Sequence, residues 1–83
     1  MEAQRIIITG GATRIGAAIA EKLSGPNRQI LIQYNKSKSK AENLKKKLQN
    51  SGAKIYLVRG DLGKENDINK IIKFAKSKLR YFD

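Results

Sequence analysis

An apolar run near the start of this chain leads through adjacent glycines into a stretch with helical spacing. The run is Ile6–Ile8, the glycines are Gly10 and Gly11, and the apolar residues that follow recur with the period of one helix face. Those helix-face residues are Ile15, Ala18, Ile19 and Leu23. Glycine tolerates the positive φ that a tight turn needs, and Gly10 stands where such a turn is expected. The pattern predicts a strand, a glycine turn and an amphipathic helix in direct succession.

The same succession of strand and helix recurs along the whole chain. Apolar runs predict strands at residues 5–9, 29–34 and 54–59. The second predicted helix has its inner face at Ala41, Leu44 and Leu48. The third runs from about Lys64 to Arg80. Its inner face comprises Ile68, Ile71, Ile72, Ala75 and Leu79.

Turn-forming residues indicate where the predicted helices begin and end. Gly25 followed by Pro26 predicts the end of the first helix, because proline cannot continue the backbone hydrogen-bond ladder. Ser39 and Glu42 have the spacing of a capping box and predict the start of the second helix. Gly52 predicts the end of that helix.

Near-continuous runs of Ile, Leu and Val are typical of parallel strands that are covered on both faces. Right-handed crossovers then give the strand order 3-2-1, with the first two helices on one face of the sheet and the third on the other. We therefore expect an α/β fold of the Rossmann-like, three-layer type, as a single partial domain over residues 1–83. We expect it to be truncated after β-α-β-α-β-α, at the point where a fourth strand would follow.

The glycine turn also indicates a binding function. A helix leaves its first backbone N–H groups unpaired and carries partial positive charge at that end. A glycine-rich strand-to-helix turn lets a phosphate approach these groups closely. The spacing from Gly10 to Gly16 does not fit the common GxGxxG dinucleotide motif.

That spacing resembles the cofactor motif TGxxxGxG of the short-chain dehydrogenases/reductases. Thr9 and Gly10 match its start and residues 15–16 match its end, whereas Arg14 replaces the middle glycine. An arginine at this place is similar to the pteridine-reductase-like, NADP(H)-dependent members, in which it faces the adenosine 2′-phosphate. The resemblance implies cofactor contacts from Gly10, Thr13, Arg14, Ile15 and Gly16.

The residues after the second predicted strand indicate which nicotinamide dinucleotide is bound. NAD-selective sites place a carboxylate about twenty residues beyond the glycine turn, where it accepts from the ribose 2′-OH. Here the sequence reads Asn35, Lys36 and Ser37, which offer donors and positive charge to a 2′-phosphate. These residues align with the corresponding turn of pteridine-reductase-like enzymes, so we expect NADP(H) as the cofactor. The alternative is that they are ordinary turn residues in a lysine-rich chain.

The third predicted strand is followed by Asp61 and Leu62, which resemble the pair that brackets the adenine ring in this family. Asp61 would accept a hydrogen bond from the adenine amine. The alternative is that Asp61 helps to end the strand and Gly63 starts the helix, a role that aspartate and glycine often have without a ligand. The two roles are compatible.

The family's catalytic residues have no counterpart in this sequence. Family domains run to roughly 250 residues, and the active-site serine and the Tyr-x-x-x-Lys pair belong to the part that is missing here. Tyr34 and Lys38 satisfy that spacing but follow a strand, where the adenosine end of the cofactor would lie. The resemblance implies hydride transfer to a carbonyl or pterin-like substrate in a complete enzyme, with this fragment alone inactive. Whether the chain belongs to a working enzyme stays open.

Composition leaves a second interpretation open. The chain carries 18 Lys and Arg against 7 Asp and Glu, a formal net charge of +11. A noncatalytic remnant or basic module would bind polyanions nonspecifically. Specific nucleic-acid binding is not expected, because no aromatic residues alternate with the lysines as in single-strand binders.

The chain has no Cys and no His, so the usual zinc ligands are missing and no metal site is expected. No signal-peptide pattern or membrane-length apolar run is present, which indicates a cytoplasmic location without membrane association. The first strand would lie at a sheet edge with unpaired backbone groups. We therefore expect self-association, or assembly with a complementary C-terminal half.

Overall fold

A computed structural model describes residues 4–10 and 14–79, with the backbone alone described at Arg14. Strands and helices alternate in chain order. The strands are β1 (Gln4–Ile8), β2 (Arg28–Tyr34) and β3 (Lys54–Arg59). The helices are α1 (Arg14–Leu23), α2 (Lys38–Gln49) and α3 (Glu65–Leu79).

The three strands form one parallel sheet with β2 between β1 and β3. Ile30 of β2 is in register with Ile6 of β1 on one side and with Ile55 of β3 on the other. This arrangement confirms the predicted α/β fold and the strand order 3-2-1. All three strands consequently have their carboxyl ends at the same edge of the sheet.

The sheet separates two apolar clusters. Because side chains alternate along a strand, Ile30 and Ile32 point to one face of β2 and Leu31 points to the other. The first face packs against α1 and α2 in the cluster Ile8, Ala20, Ile30, Ile32, Leu44, Leu48, Ala53 and Ile55. The second packs against α3 in the cluster Leu31, Val58, Ile71, Ala75 and Leu79. The predicted placement of the helices, two on one face and one on the other, is confirmed.

The start of α2 differs from the sequence-based prediction. The helix begins at Lys38, and the backbone N–H of Ala41 donates to the carbonyl of Ser37 at 2.9 Å. Ser37 therefore occupies the N-cap position, although its side chain makes no capping hydrogen bond. The predicted capping box was wrong, because Ser39 lies inside the first turn of the helix.

The turn that ends α1 also departs from expectation in detail, whereas Gly52 ends α2 as predicted. After α1 the positive φ falls on Asn27, at 63°, and not on Gly25. Asparagine adopts this left-handed conformation more readily than most residues do. After α2 the positive φ falls on Gly52, at 93°, and its N–H donates to the carbonyl of Gln49 at 3.1 Å. The predicted role of Gly52 in ending the helix is confirmed.

Parts of the predicted inner faces of α1 and α3 are exposed. Ile15 and Ile19 of α1 are 75% and 46% exposed, and Ile68 and Ile72 of α3 are 37% and 43% exposed. The inner face predicted for α3 was therefore wrong at Ile68 and Ile72, and the apolar stripe predicted for α1 is exposed at Ile15 and Ile19. The helices instead contact the sheet through narrower stripes, such as Gly16 and Ala20 in α1, that lie beside the exposed isoleucines. Both α1 and α3 therefore have an exposed strip of apolar residues beside the residues that contact the sheet.

The exposed strip of α3 extends onto the edge strand. A shallow apolar groove of about 230 Å³ joins Ile7 and Thr9, at the end of β1, to Ile68, Ile71 and Ile72. A second apolar groove of about 510 Å³ follows the α1 strip from Ile15 to Leu23. None of the described helices is long and apolar enough to cross a membrane.

Truncation of Leu31, which is fully buried between β2 and α3, tests the central position of β2. We expect Leu31→Ala to lower the free energy of unfolding by about 2 to 5 kcal/mol, because it leaves a cavity in a close-packed cluster. The control Leu31→Met keeps the volume and should cost less than about 1.5 kcal/mol. Urea unfolding followed by circular dichroism measures both. Equal losses for the two variants would contradict a close-packed environment for this side chain.

Candidate functional site

A cavity of about 490 Å³ opens at the carboxyl edge of the sheet. Its lining comes from the turns after all three strands and comprises Gly10, Gln33, Tyr34, Asn35, Lys36, Ser37, Asp61 and Leu62. In open parallel α/β sheets, ligands bind outside the carboxyl ends of the strands. All but two of these residues, Gln33 and Tyr34, were predicted from the sequence to contact the cofactor. The fold thus brings together residues that are far apart in the chain.

The glycine turn after β1 forms one wall of the cavity. Gly10 has a φ of 63°, as predicted for the tight turn, and its N–H donates to Oε1 of Gln33 at 2.7 Å. Thr13 and the side chain of Arg14 lie outside the described residues. Ile15 and Gly16 begin α1 and do not line the cavity, with Ile15 exposed and Gly16 buried. The predicted contacts of these four residues with a cofactor stay predictions.

The turn between β2 and α2 forms a second wall. Asn35 and Lys36 are exposed and Ser37 is half-buried. The Ser37 hydroxyl makes no capping bond to α2, and the first turn of that helix contains no acidic residue. Partial positive charge at the start of α2 therefore adds to the positive charge of Lys36. This wall suits a bound anion.

Arg59 at the end of β3 supports this second wall. Its Nε donates to the backbone carbonyl of Asn35 at 3.1 Å, which connects the end of β3 to the turn after β2. The guanidinium, although exposed, brings a second positive charge beside Lys36. Sequence reasoning missed this residue, because a single arginine at a strand end carries no signal of its contact with the neighbouring turn.

The loop between β3 and α3 forms the third wall and is ordered by two carboxylates. Oδ1 of Asp61 accepts from the N–H of Gly63 at 2.8 Å, and Oδ2 of Asp67 accepts from the N–H of Asp61 at 2.8 Å. Asp61 therefore helps to form the turn that ends β3, whereas α3 begins at Glu65 and not at Gly63. A carboxylate oxygen has more than one lone pair, so this turn is compatible with a further donor from a ligand. Leu62 is 45% exposed and offers an apolar surface beside it.

Gln33 forms the floor of the cavity and is only 3% exposed. Its Oε1 accepts from the Gly10 N–H at 2.7 Å and its Nε2 donates to the Gly60 carbonyl at 2.7 Å. The Gly60 N–H in turn donates to the carbonyl of Tyr34 at 2.9 Å. Sequence reasoning missed Gln33 as well. The available signal was an amide that directly follows the apolar run Ile30–Ile32 of β2.

Gly60 also lets α3 lie close to this floor. A Cβ at this position would stand 2.9 Å from Cδ1 of Ile71, closer than carbon atoms normally approach. The absence of a side chain at Gly60 therefore fixes how near α3 lies to the end of β3.

No catalytic arrangement is found in the described part of the chain. Tyr34 ends β2 and Lys38 begins α2, so the pair does not share one helical turn. Groups of three or more His, Cys, Asp or Glu residues that could hold a metal ion are also absent from residues 4–10 and 14–79.

Known proteins provide an independent comparison. A family model described as short chain dehydrogenase matches residues 4–83. The short-chain dehydrogenase/reductase homolog YusS of Bacillus subtilis is 29% identical over 66 residues, which cover 80% of this chain and 61% of YusS. This chain therefore spans less than two thirds of that relative.

Solved structures of dehydrogenases and reductases also match this chain. A dehydrogenase structure from Burkholderia cenocepacia with bound NADP matches with a TM-score of 0.89 and 26% identity, over 99% of this chain and 32% of that one. FolM, an alternative dihydrofolate reductase from Brucella canis complexed with NADP, matches with a TM-score of 0.77 and 32% identity, over 90% of this chain and 29% of that one. The fold, the position of the cavity and the family match agree, and the chain belongs to the short-chain dehydrogenase/reductase family.

Proposed function

We propose that this chain forms the NADP(H)-binding part of a short-chain reductase and holds the adenosine end of the cofactor. One observation carries the proposal: the turn after β2, which lines the cavity, presents Asn35, Lys36 and Ser37 with no carboxylate. A carboxylate there would accept from the ribose 2′-OH of NAD and repel a 2′-phosphate. An ammonium, an amide and a hydroxyl favour the phosphate.

The proposed roles follow the three walls of the cavity. Lys36 and Ser37 contact the 2′-phosphate, with Arg14 reaching it from the glycine turn. Asp61 accepts from the adenine amine while Leu62 packs against the ring. The pyrophosphate lies at the start of α1, where the helix dipole favours negative charge. The residues proposed there are Gly10, Thr13, Arg14, Ile15 and Gly16.

The reaction of a complete enzyme would be hydride transfer to a carbonyl or pterin-like substrate. The bound nicotinamide supplies the hydride. The described residues of this chain orient the cofactor and neutralise its charge, and they offer no proton donor at a substrate position. The pterin-like substrate class rests on Arg14, on the turn at 35–37 and on the similarity to FolM. We expect the chain by itself to be catalytically inactive.

The second candidate is a noncatalytic basic module that binds polyanions nonspecifically. The observation in its favour is the formal net charge of +11. Such a module would respond to the number of negative charges on a ligand and to salt, because its affinity comes from counterion release. The affinity of a 2′-phosphate site, in contrast, depends on the position of one phosphate group on the ligand. The two candidates therefore differ in a measurable selectivity.

Titration of the purified chain with NADPH and NADH at moderate salt tests the proposal directly. We expect tighter binding of NADPH, by isothermal titration calorimetry, on protein shown by circular dichroism to be folded. Adenosine 2′,5′-bisphosphate should compete with NADPH, whereas inorganic pyrophosphate at equal concentration should compete weakly. Equal affinity for the two dinucleotides on folded protein would favour the basic module.

Substitutions in the phosphate-binding turn locate the selectivity. We expect Lys36→Ala and Arg14→Ala each to weaken NADPH binding by about 1 to 3 kcal/mol with little effect on NADH, because each removes a charge-assisted contact to the 2′-phosphate. The matched control is Lys46→Ala, which removes the same charge from an exposed position of α2 outside the cavity. If Lys46→Ala weakened NADPH binding as much as Lys36→Ala does, net charge and not the turn would explain the affinity.

We also propose that the chain associates through the edge of β1. In the described part of the chain β1 pairs with β2 on one side only, so its other side presents backbone N–H and C=O groups. The exposed strip at Ile68 and Ile72 lies beside this edge, joined to Ile7 by the apolar groove. Contiguous apolar surface of this kind marks an interaction site. Either a second copy or a complementary C-terminal half would cover it.

Sedimentation velocity at micromolar concentration tests self-association. We expect a dimer or larger species, and we expect Ile68→Lys to shift the population toward monomer by placing a charge in the apolar strip. The matched control is Ser77→Lys, which adds the same charge at an exposed position on the opposite side of α3. A monodisperse monomer of the unsubstituted chain would count against self-association and leave the complementary half as the occupant.

A further inference from the structure

Gln33 connects two turns that the sheet alone does not join. Its side chain leaves the central strand β2 and bonds to Gly10, after β1, and to Gly60, after β3, with both distances 2.7 Å. The three residues therefore form a bridge across the carboxyl ends of the strands. Backbone pairing with β1 ends at Ile8, whereas pairing with β3 continues to Arg59 and the Gly60 N–H donates to the Tyr34 carbonyl. On the β1 side the Gln33 amide therefore extends the hydrogen bonding beyond the backbone ladder.

The chemistry of this bridge requires a carboxamide. One turn offers a backbone donor and the other offers a backbone acceptor, and a primary amide supplies one acceptor and one donor from the same rigid plane. A carboxylate could accept from Gly10 but would face the Gly60 carbonyl without a proton to donate. An apolar side chain of similar length would leave the buried Gly60 carbonyl and the half-buried Gly10 N–H without this partner, which is costly.

We propose that Gln33 is the positioning residue of the cavity: its amide sets the distance between the glycine turn and the Gly60–Leu62 loop, and dinucleotide affinity depends on that distance. The inference rests on the proposed function for the identity of the ligand. Gly10 begins the turn that leads to α1, and Asp61 follows Gly60 directly. A shift at either end of the bridge therefore moves the pyrophosphate wall relative to the adenine wall. A misplacement of about 1 Å is enough to lower the affinity of a preorganised site.

A merely structural role for Gln33 makes a different prediction. If the bridge only satisfied buried polar groups, its loss would lower stability, and the protein that remained folded would bind as before. If the bridge positions the two walls, folded protein must bind both dinucleotides more weakly by the same factor, because the walls contact groups that NADPH and NADH share. The selectivity between them comes from the turn at 35–37 and should not change.

The experiment uses the full chain with Gln33→Met and Gln33→Glu. Binding of NADPH and NADH is measured by calorimetry at a temperature where circular dichroism shows each variant folded. Exchange of the Gly10 amide hydrogen, which bonds to Gln33, is measured by NMR without ligand. The stability control is Ile55→Val, a small core deletion in β3 whose side chain belongs to the α1 and α2 cluster and does not line the cavity.

We expect Gln33→Met to weaken both dinucleotides about tenfold with their affinity ratio unchanged, whereas Lys36→Ala changes the ratio. We expect faster exchange of the Gly10 amide in Gln33→Met and near-native exchange in Gln33→Glu, which keeps the acceptor. Ile55→Val should bind like the unsubstituted chain. Native affinity in folded Gln33→Met, or native Gly10 exchange in that variant, would overturn the proposal.

The same measurements distinguish a failure of the proposed NADP(H) function from a failure of the positioning role of Gln33. If the unsubstituted chain, folded, bound both dinucleotides equally, the NADP(H) assignment would fail while a common loss in Gln33→Met would still support positioning. If the unsubstituted chain bound neither dinucleotide, amide exchange at Gly10 would still test the bridge. An unchanged exchange rate in Gln33→Met would overturn the bridge, and a faster rate would support Gln33 as the residue that holds the two turns.

Discussion

Burial of β2 on both faces is the interaction on which the rest of the structure depends. Ile30, Leu31 and Ile32 are fully buried, although adjacent side chains of a strand point in opposite directions. Full burial of three consecutive apolar residues requires a neighbouring strand on each side and helices above and below. Each such side chain contributes about 1.5 to 3 kcal/mol when removed from water. The three helices therefore cannot all lie on the same face.

The run of buried apolar residues in β2 ends at Gln33, where the strand reaches the edge of the core. An amide that is 3% exposed needs hydrogen-bond partners, and the two neighbouring turns supply them. The same constraint ties Gly10 and Gly60 to the end of β2. The cavity is thus built on a strand whose position is already fixed by packing, and sites on such elements are held more precisely than sites on loops.

The fold could be predicted from the sequence because strand and helix have different hydrophobic periods and parallel crossovers have one hand. The site could be predicted in outline, since the turns after β1, β2 and β3 must meet at one sheet edge. The exposure of Ile15 and Ile72 could not be predicted. A wide apolar stripe shows that a helix has a sheet-facing side without showing which part of the stripe makes the contact. The partners of Gln33 and Arg59 depend on turns distant in the chain, so no local pattern indicates them.

The positive charge of the chain and its candidate site are separate properties. A net charge of +11 attracts any polyanion, and that attraction between exposed charges is screened within about 10 Å at 0.1 M salt. Among the residues that line the cavity, by contrast, Lys36 and Asp61 are the charged pair, one of each sign. A ligand that places a phosphate at one and a hydrogen-bond donor at the other matches both. The selectivity for an adenosine phosphate that we propose therefore depends on the arrangement of the three turns, and the remaining lysines would increase only the rate and the salt dependence of the encounter.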